Sequence, residues 1–177
     1  MMTLVIGPNG SGKSAAAEQL IHDLHAADPT TGALIYLATM IPVDDNGHDR
    51  VVAHRHERSG AGFITLESPT ADIERTHPGF IEACDLVLVE DVSNLLSNLI
   101  FAAPAPNRRG ADQACQVALA RLDHLGQISR HVVAVTIGGL APAADFDDAT
   151  NEYITALSRL NQALGDKADQ IIRRGSL

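Results

Sequence analysis

Short apolar runs alternate with longer amphipathic stretches along the chain of 177 residues. Short continuous runs are typical of strands buried on both faces, whereas apolar residues that recur every three or four positions indicate helices packed on one side. The runs predict strands over residues 3–6, 34–38, 63–66, 86–89, 131–137 and 168–173.

Helical periodicity falls between these runs. It predicts helices over residues 15–24, 50–58, 70–83 (with an interruption near Pro78), 92–101, 111–127 and 147–164. Alternating strands and helices favour a three-layer α/β fold with a mainly parallel sheet covered by helices on both faces. Because no linker or repeat divides the chain, we expect a single domain over residues 1–177.

The turn between the first strand and the first helix carries the clearest chemical signal. It fits the phosphate-binding pattern G-x-x-x-x-G-K-[ST] and sits between a strand and a helix, as that motif requires. The predicted nucleotide-binding residues here are Gly7, Pro8, Asn9, Gly10, Ser11, Gly12, Lys13 and Ser14.

This turn suits a nucleoside triphosphate, GTP or ATP. With it, the expected fold is a P-loop NTPase-like fold, and the single domain over residues 1–177 is a nucleotide-binding domain. Its glycines allow successive backbone N–H groups to point at phosphate oxygens, and the helix N-terminus adds partial positive charge. Lys13 is expected to reach the β- and γ-phosphates as a catalytic residue, and the Ser14 hydroxyl to bind Mg²⁺.

A second acidic signal lies at the end of the apolar run 86–89. An acid at this place assists Mg²⁺ in P-loop proteins, which makes Glu90 the candidate for the metal and the nucleotide. Asp91 competes with it, but adjacent strand residues point to opposite sides, so the two carboxylates are not expected to share one ligand position. A solvated acidic pair is the alternative.

A third signal is a histidine between arginines. On a helix, Arg50, His54 and Arg58 are four residues apart and share one face, so two positive charges would favour the neutral, nucleophilic imidazole and hold a triphosphate beside it. This suits attack on a nucleotide α-phosphorus by His54. An ordinary solvated helix face, such as the one that carries His56, is the alternative.

Composition excludes several classes of partner. The formal net charge is −9, which leaves no basic surplus for nucleic acid or an anionic membrane. No apolar run is long enough to span a bilayer.

The cysteines and the N-terminal region bear on location. The only cysteines, Cys84 and Cys115, are far apart, which favours reduced thiols. The first strand begins too early for a cleavable signal peptide. We therefore expect a cytoplasmic protein.

Taken in order, these motifs resemble those of the bifunctional adenosylcobinamide kinase / adenosylcobinamide-phosphate guanylyltransferase family of cobalamin biosynthesis. Besides the P-loop and the histidine segment, the resemblance rests on Glu90 and on four shorter stretches. These are Tyr36-Leu37-Ala38-Thr39, Ser97-Asn98-Leu99, Arg159-Leu160-Asn161-Gln162 and Ala168-Asp169.

The resemblance implies phosphorylation of a corrinoid, adenosylcobinamide, by a nucleoside triphosphate. It then implies GMP transfer from GTP through a guanylylated histidine. His54 matches the family's histidine, and Arg50 and Arg58 match the arginines that flank it. It also implies a propeller-like homotrimer.

The chain departs from the family at three places. The family usually carries Asn-Glu-Val-Gly where this chain has Thr136-Ile137-Gly138-Gly139, and Ala-Gly-Ile-Pro where it has Arg173-Arg174-Gly175-Ser176. The aromatic residue after the histidine segment is usually Trp, and here Phe63 appears one residue late. Retention of both activities is therefore open. A P-loop small-molecule kinase of other specificity and a nucleotide-binding protein without turnover are the rival hypotheses.

Overall fold

The computed structural model describes residues 1–41, 60–102 and 108–175. Its six strands form one sheet in which every pairing is parallel, in the order β3-β2-β4-β5-β1-β6. The strands are β1 (Met2–Gly7), β2 (Leu34–Ala38), β3 (Phe63–Glu67), β4 (Leu86–Glu90), β5 (His131–Ile137) and β6 (Gln170–Arg173). All six strands predicted from apolar runs are confirmed to within two residues at either end.

Five helices are described. They are α1 (Lys13–Ala27), α2 (Ile73–Thr76), α3 (Val92–Phe101), α4 (Ala111–Ile128) and α5 (Asp148–Lys167). The predicted helix over 70–83 is wrong for most of its length, because only α2 forms. Pro78 cannot continue a helical hydrogen-bond ladder, and Gly79 has a φ of +66° that helical residues do not adopt. The predicted helix over 50–58 lies outside the described residues.

The sheet is covered by helices on both faces, which confirms the three-layer α/β prediction. On one face Ala17 and Ile21 of α1 pack with Val5, Leu86 and Val133 of the central strands. On the other, α3, α4 and α5 bury a larger cluster that includes Leu95, Leu122 and Leu157. Strands buried on both faces explain why their sequences read as continuous apolar runs.

The arrangement brings distant parts of the sequence to one edge of the sheet. Because all strands run in the same direction, the residues that follow β1, β2, β4, β5 and β6 meet at the carboxyl edge. Helix α1 packs across β1, β5 and β4, so its first turn lies near the end of β4. No helix in the described ranges is long and apolar enough to cross a membrane.

Candidate nucleotide-binding site

The loop from Gly7 to Ser14 connects β1 to α1 in a tight turn. Gly10 and Gly12 have φ angles of +73° and +75°, a region that residues with a side chain rarely adopt. The Ser11 N–H donates to the Pro8 carbonyl at 3.3 Å, which closes the turn. The two glycine positions are therefore required by the backbone path itself.

The N-terminus of α1 is open toward this loop. Gly12 is the N-cap residue and supplies no side-chain acceptor, and the first turn contains no acidic residue. The first N–H groups of a helix lack intrahelical partners, so an uncapped end of this kind favours an anion. Lys13 begins the helix, with only 8% of its surface exposed. The helix N-terminus and Lys13 thus place positive charge beside the loop, in a cradle at the sheet edge.

Ser14 and Glu90 meet at the carboxyl edge. The Ser14 hydroxyl donates to Glu90 Oε1 at 2.8 Å, which joins the first turn of α1 to the end of β4. The other oxygen, Glu90 Oε2, is buried and has no hydrogen-bond partner among the described residues, and the same holds for Ser11 Oγ in the loop. Buried polar atoms without partners are uncommon in native proteins and suggest that a ligand supplies the missing contacts.

The environment of Glu90 shifts the carboxyl toward its protonated form. Burial, followed by the nearby Asp91 carboxylate, raises the pKa of Glu90 to about 7. The hydrogen bond from Ser14 and the Lys13 ammonium lower this pKa, but they offset only part of the effect. A divalent cation beside Glu90 would remove the penalty for ionisation, because opposite charge favours the carboxylate.

Asp91 forms other hydrogen bonds, which have a structural role. Its Oδ1 accepts hydrogen bonds from the Asn94 N–H at 2.7 Å and from the Ser93 hydroxyl at 2.5 Å, which caps the N-terminus of α3. The two neighbouring carboxylates thus diverge, as strand alternation predicts, and Glu90 is the one that faces the P-loop.

Two of the shorter sequence stretches hold the loops around this edge. Asn98 on α3 donates from Nδ2 to the carbonyls of Thr39 at 2.7 Å and Pro69 at 2.8 Å, so it ties together the chain after β2 and after β3. The Thr39 hydroxyl donates to the carbonyls of Glu90 and Asp91 at 3.0 and 2.8 Å. These hydrogen bonds position the end of β4.

The first place where the chain departs from the family has its own hydrogen bonds. The Thr136 hydroxyl donates to Asn161 Oδ1 at 2.7 Å, and Asn161 Nδ2 donates to the Ile137 carbonyl at 2.8 Å. These bonds fix the end of β5 to α5 beside a cavity of about 130 Å³ that also contacts Ile6 and Leu157.

Sequence reasoning missed the segment that follows β6. A Cβ on Gly7 would collide with the Arg174 carbonyl, and one on Gly175 would lie 3.3 Å from Ser11 Cβ. The second departure from the family therefore lies against the P-loop itself. Only the order of strands in the sheet, with β6 beside β1, could have indicated this contact.

Three of the predicted site residues have no described position. Arg50, His54 and Arg58 lie outside the described residues. Within the described ranges no group of three or more His, Cys, Asp or Glu side chains could hold a metal ion.

Comparison with known proteins gives one match to a family. The family model for cobinamide kinase / cobinamide phosphate guanyltransferase matches residues 3–174, nearly the whole chain. No curated protein matches the sequence. Among solved structures, flagellar accessory protein FlaH from Methanocaldococcus jannaschii is similar at 11% identity and a TM-score of 0.41, with 97% of this chain and 70% of that chain covered.

Proposed function

The chain belongs to the cobinamide kinase / cobinamide phosphate guanyltransferase family, and we propose that it phosphorylates adenosylcobinamide and then transfers GMP from GTP to the product. One observation carries the nucleotide part of this proposal. The Ser14 hydroxyl and the half-buried Glu90 carboxylate meet at 2.8 Å beside the open N-terminus of α1. A P-loop enzyme needs this pairing where it holds Mg²⁺ and the phosphates of its substrate.

The proposed nucleotide contacts are distributed along the P-loop. Backbone N–H groups between Gly7 and Ser14 would hold the phosphate oxygens, and the Lys13 ammonium would neutralise the β- and γ-phosphates. Ser11 Oγ, which is buried and has no partner in the described part of the chain, would add a hydroxyl contact. The uncapped helix end makes these contacts favourable before any side chain moves.

The residues at the end of β4 fit Mg²⁺. Ser14 Oγ and the unpartnered Glu90 Oε2 supply hard oxygen donors of the kind that Mg²⁺ prefers, with Glu90 acting directly or through a water molecule. When bound, the ion would neutralise charge on the β- and γ-phosphates. Asp91, which is engaged in capping α3, would not take part.

Kinase chemistry at this site needs no protein nucleophile. The cobinamide hydroxyl oxygen attacks the γ-phosphorus, the bond to the β-γ bridging oxygen breaks, and the hydroxyl proton leaves to solvent or a base. The protein contributes positioning and charge stabilisation, through Lys13 and the backbone of the loop.

Guanylyl transfer would use a covalent intermediate. A ring nitrogen of His54 attacks the α-phosphorus of GTP and pyrophosphate leaves, which forms a phosphoramidate; a phosphate oxygen of cobinamide phosphate then displaces the histidine. Arg50 and Arg58 would hold the triphosphate and favour the neutral imidazole. This step is supported by the sequence spacing and by family membership.

Incubation with α-labelled GTP and Mg²⁺ tests the proposal. Wild-type protein should take up covalent label that is labile in acid and stable in alkali, as a P–N bond is, and peptide mapping should place it on His54. A protein that phosphorylates an alcohol but takes up no label would be a kinase of another specificity. One that binds GTP without turnover would be a nucleotide-binding protein.

Three properties of the whole protein are also proposed. A single domain over residues 1–177 is supported by one continuous six-stranded sheet. A homotrimer is proposed from family membership, and light scattering coupled to gel filtration would test it. A cytoplasmic location is supported by the free thiols of Cys84 and Cys115, since oxidising compartments favour disulfides.

A further inference from the structure

We propose that Arg174 contacts the phosphate chain of the nucleotide in the P-loop and adds a cation to the site. The inference rests on the proposed nucleotide binding and extends it to a residue outside the P-loop, after the last strand. It concerns the segment that follows β6.

The backbone of this segment is fixed to the strand that enters the P-loop. Strand β6 pairs with β1 in parallel, with Arg173 opposite Ile6. The ladder continues one residue further, because the Arg174 N–H donates to the Ile6 carbonyl at 2.9 Å. Arg174 therefore leaves the sheet at the same level as Gly7, where the loop begins.

Close packing holds the same segment against the loop. Gly175 has a φ of +72°, and a Cβ there would lie 3.3 Å from Ser11 Cβ and 3.4 Å from Pro8 Cγ. The Arg174 carbonyl occupies the space that a Cβ on Gly7 would need. The backbone of residues 174–175 thus forms one wall of the P-loop.

The alternation of side chains along β6 places Arg174 on the side of α1. Ile172 packs into the core cluster that contains α1, whereas the Ile171 side chain lies beside Gly165 of α5 on the other face. Arg174 follows Ile172 in this alternation and Arg173 follows Ile171. The Arg174 Nη2 atom indeed lies 4.0 Å from the position that a Cβ on Gly12 would occupy.

The charge of Arg174 is available for a ligand. Its side chain is exposed, and no described residue forms a hydrogen bond or ion pair with its guanidinium. The cradle otherwise contains Lys13 as a cation against the carboxylates of Glu90 and Glu18. A guanidinium presents several N–H donors in a plane and matches the oxygens of a phosphate group.

The test compares two neighbouring arginines by calorimetry on the full chain. Affinities for GTP and for inorganic tripolyphosphate, each with Mg²⁺, are measured for wild type, Arg174→Ala, Arg174→Lys and Arg173→Ala. Arg173→Ala is the matched control, because it removes the same charge from an exposed residue on the opposite face. Lys13→Ala reports separately on the P-loop, and thermal unfolding verifies that each variant is folded.

We expect Arg174→Ala to lower the affinity for GTP and for tripolyphosphate about tenfold, which corresponds to about 1.4 kcal/mol of binding free energy. Arg174→Lys should restore part of the loss, and Arg173→Ala should stay within about twofold of wild type, since a screened surface charge contributes little. An equal effect of the two alanine variants would overturn the inference. A lower affinity of Arg174→Ala for GTP with an unchanged affinity for tripolyphosphate would also overturn it, because it would indicate a contact to the base or ribose.

The same measurements separate this inference from the proposed function. If Lys13→Ala abolishes binding while Arg174→Ala matches its control, the nucleotide site stands and the inference about Arg174 is wrong. If wild-type protein binds neither ligand, both are wrong.

Discussion

Ser14 donates a hydrogen bond of 2.8 Å to Oε1 of Glu90, although the two residues are 76 positions apart in the chain. The contact exists because α1 crosses the central strands and brings its first turn to the end of β4. It joins a hydroxyl from the P-loop to a carboxylate whose second oxygen is buried and, within residues 1–41, 60–102 and 108–175, has no hydrogen-bond partner. The geometry distinguishes Glu90 from Asp91, which the sequence could only rank.

Substitution of the two neighbouring acids should separate catalysis from stability. Glu90→Gln keeps the side-chain shape but removes the charge that would hold Mg²⁺, so we expect Mg²⁺-dependent turnover to fall about 100-fold with the protein still folded. Asp91→Ala removes the cap of α3 and should lower the free energy of unfolding by about 1 kcal/mol.

Steady-state assays across Mg²⁺ concentrations and thermal unfolding of both variants provide the measurements. Asp91→Asn serves as the control, because asparagine also caps helices well. A larger loss of turnover in Asp91→Asn than in Glu90→Gln would contradict the assignment of Glu90.

The raised pKa of Glu90 predicts a pH-dependent stability of the ligand-free protein. Burial and Asp91 raise this pKa from 4.5 to about 7, so the native state holds a proton that the unfolded chain has released between these pH values. The contribution of Glu90 to stability is therefore complete below about pH 4.5 and is lost as the pH rises through 7.

Glu90→Gln removes this titration. The variant should be more stable than wild type at pH 8, by up to about 3 kcal/mol, and the difference should vanish near pH 4. Urea unfolding at the two pH values measures it. Glu152→Gln, at an exposed position of α5, controls for the general effect of one fewer negative charge. A gain at pH 8 that is equal in both variants would refute the explanation.

Asn98 should be important for the loops at the carboxyl edge. Asn98→Asp keeps the side-chain size but loses both N–H donors, so the carbonyls of Thr39 and Pro69 would face a carboxylate. We expect the free energy of unfolding to fall by about 2 kcal/mol.

Asn94→Asp is the matched control, three residues into α3. A negative charge in the first turn of a helix is favourable, so its stability should be unchanged or slightly raised. Denaturant unfolding measures the free energy of unfolding of the two variants. A similar decrease in both would argue against a stabilising role for the hydrogen bonds from Asn98 to Thr39 and Pro69.

The sequence alone indicates features whose residues are close together in the chain or directly follow a single strand. The P-loop is a contiguous pattern, and Glu90 was identified because it ends an apolar run. The contact of Arg174 with the loop could not be predicted, since it depends on β6 lying beside β1, and strand order is set by packing of the whole chain. The helix expected over 70–83, with an interruption near Pro78, forms only over Ile73–Thr76, since Gly79 adds a positive φ that helical residues do not adopt.

The last prediction separates the two proposed reactions. Phosphoryl transfer to an alcohol requires bound phosphates and a bound acceptor, whereas guanylyl transfer through the enzyme also requires a nucleophile at the α-phosphorus. Lys13 would serve both reactions by holding the phosphates, and His54 only the second. Lys13→Ala should therefore abolish both activities, while His54→Ala should abolish covalent GMP labelling and leave kinase activity largely intact. Labelling with α-labelled GTP and phosphorylation of cobinamide are measured on the same preparations.

His56→Ala is the internal control, because on a helix His56 would lie off the face shared by Arg50 and Arg58. It should label as wild type does. Label that persists in His54→Ala, or that disappears in His56→Ala, would exclude His54 as the nucleophile. Loss of kinase activity in His54→Ala, with GTP affinity unchanged, would show that the two reactions share more than the P-loop, because only a group needed for both could remove both without weakening the nucleotide.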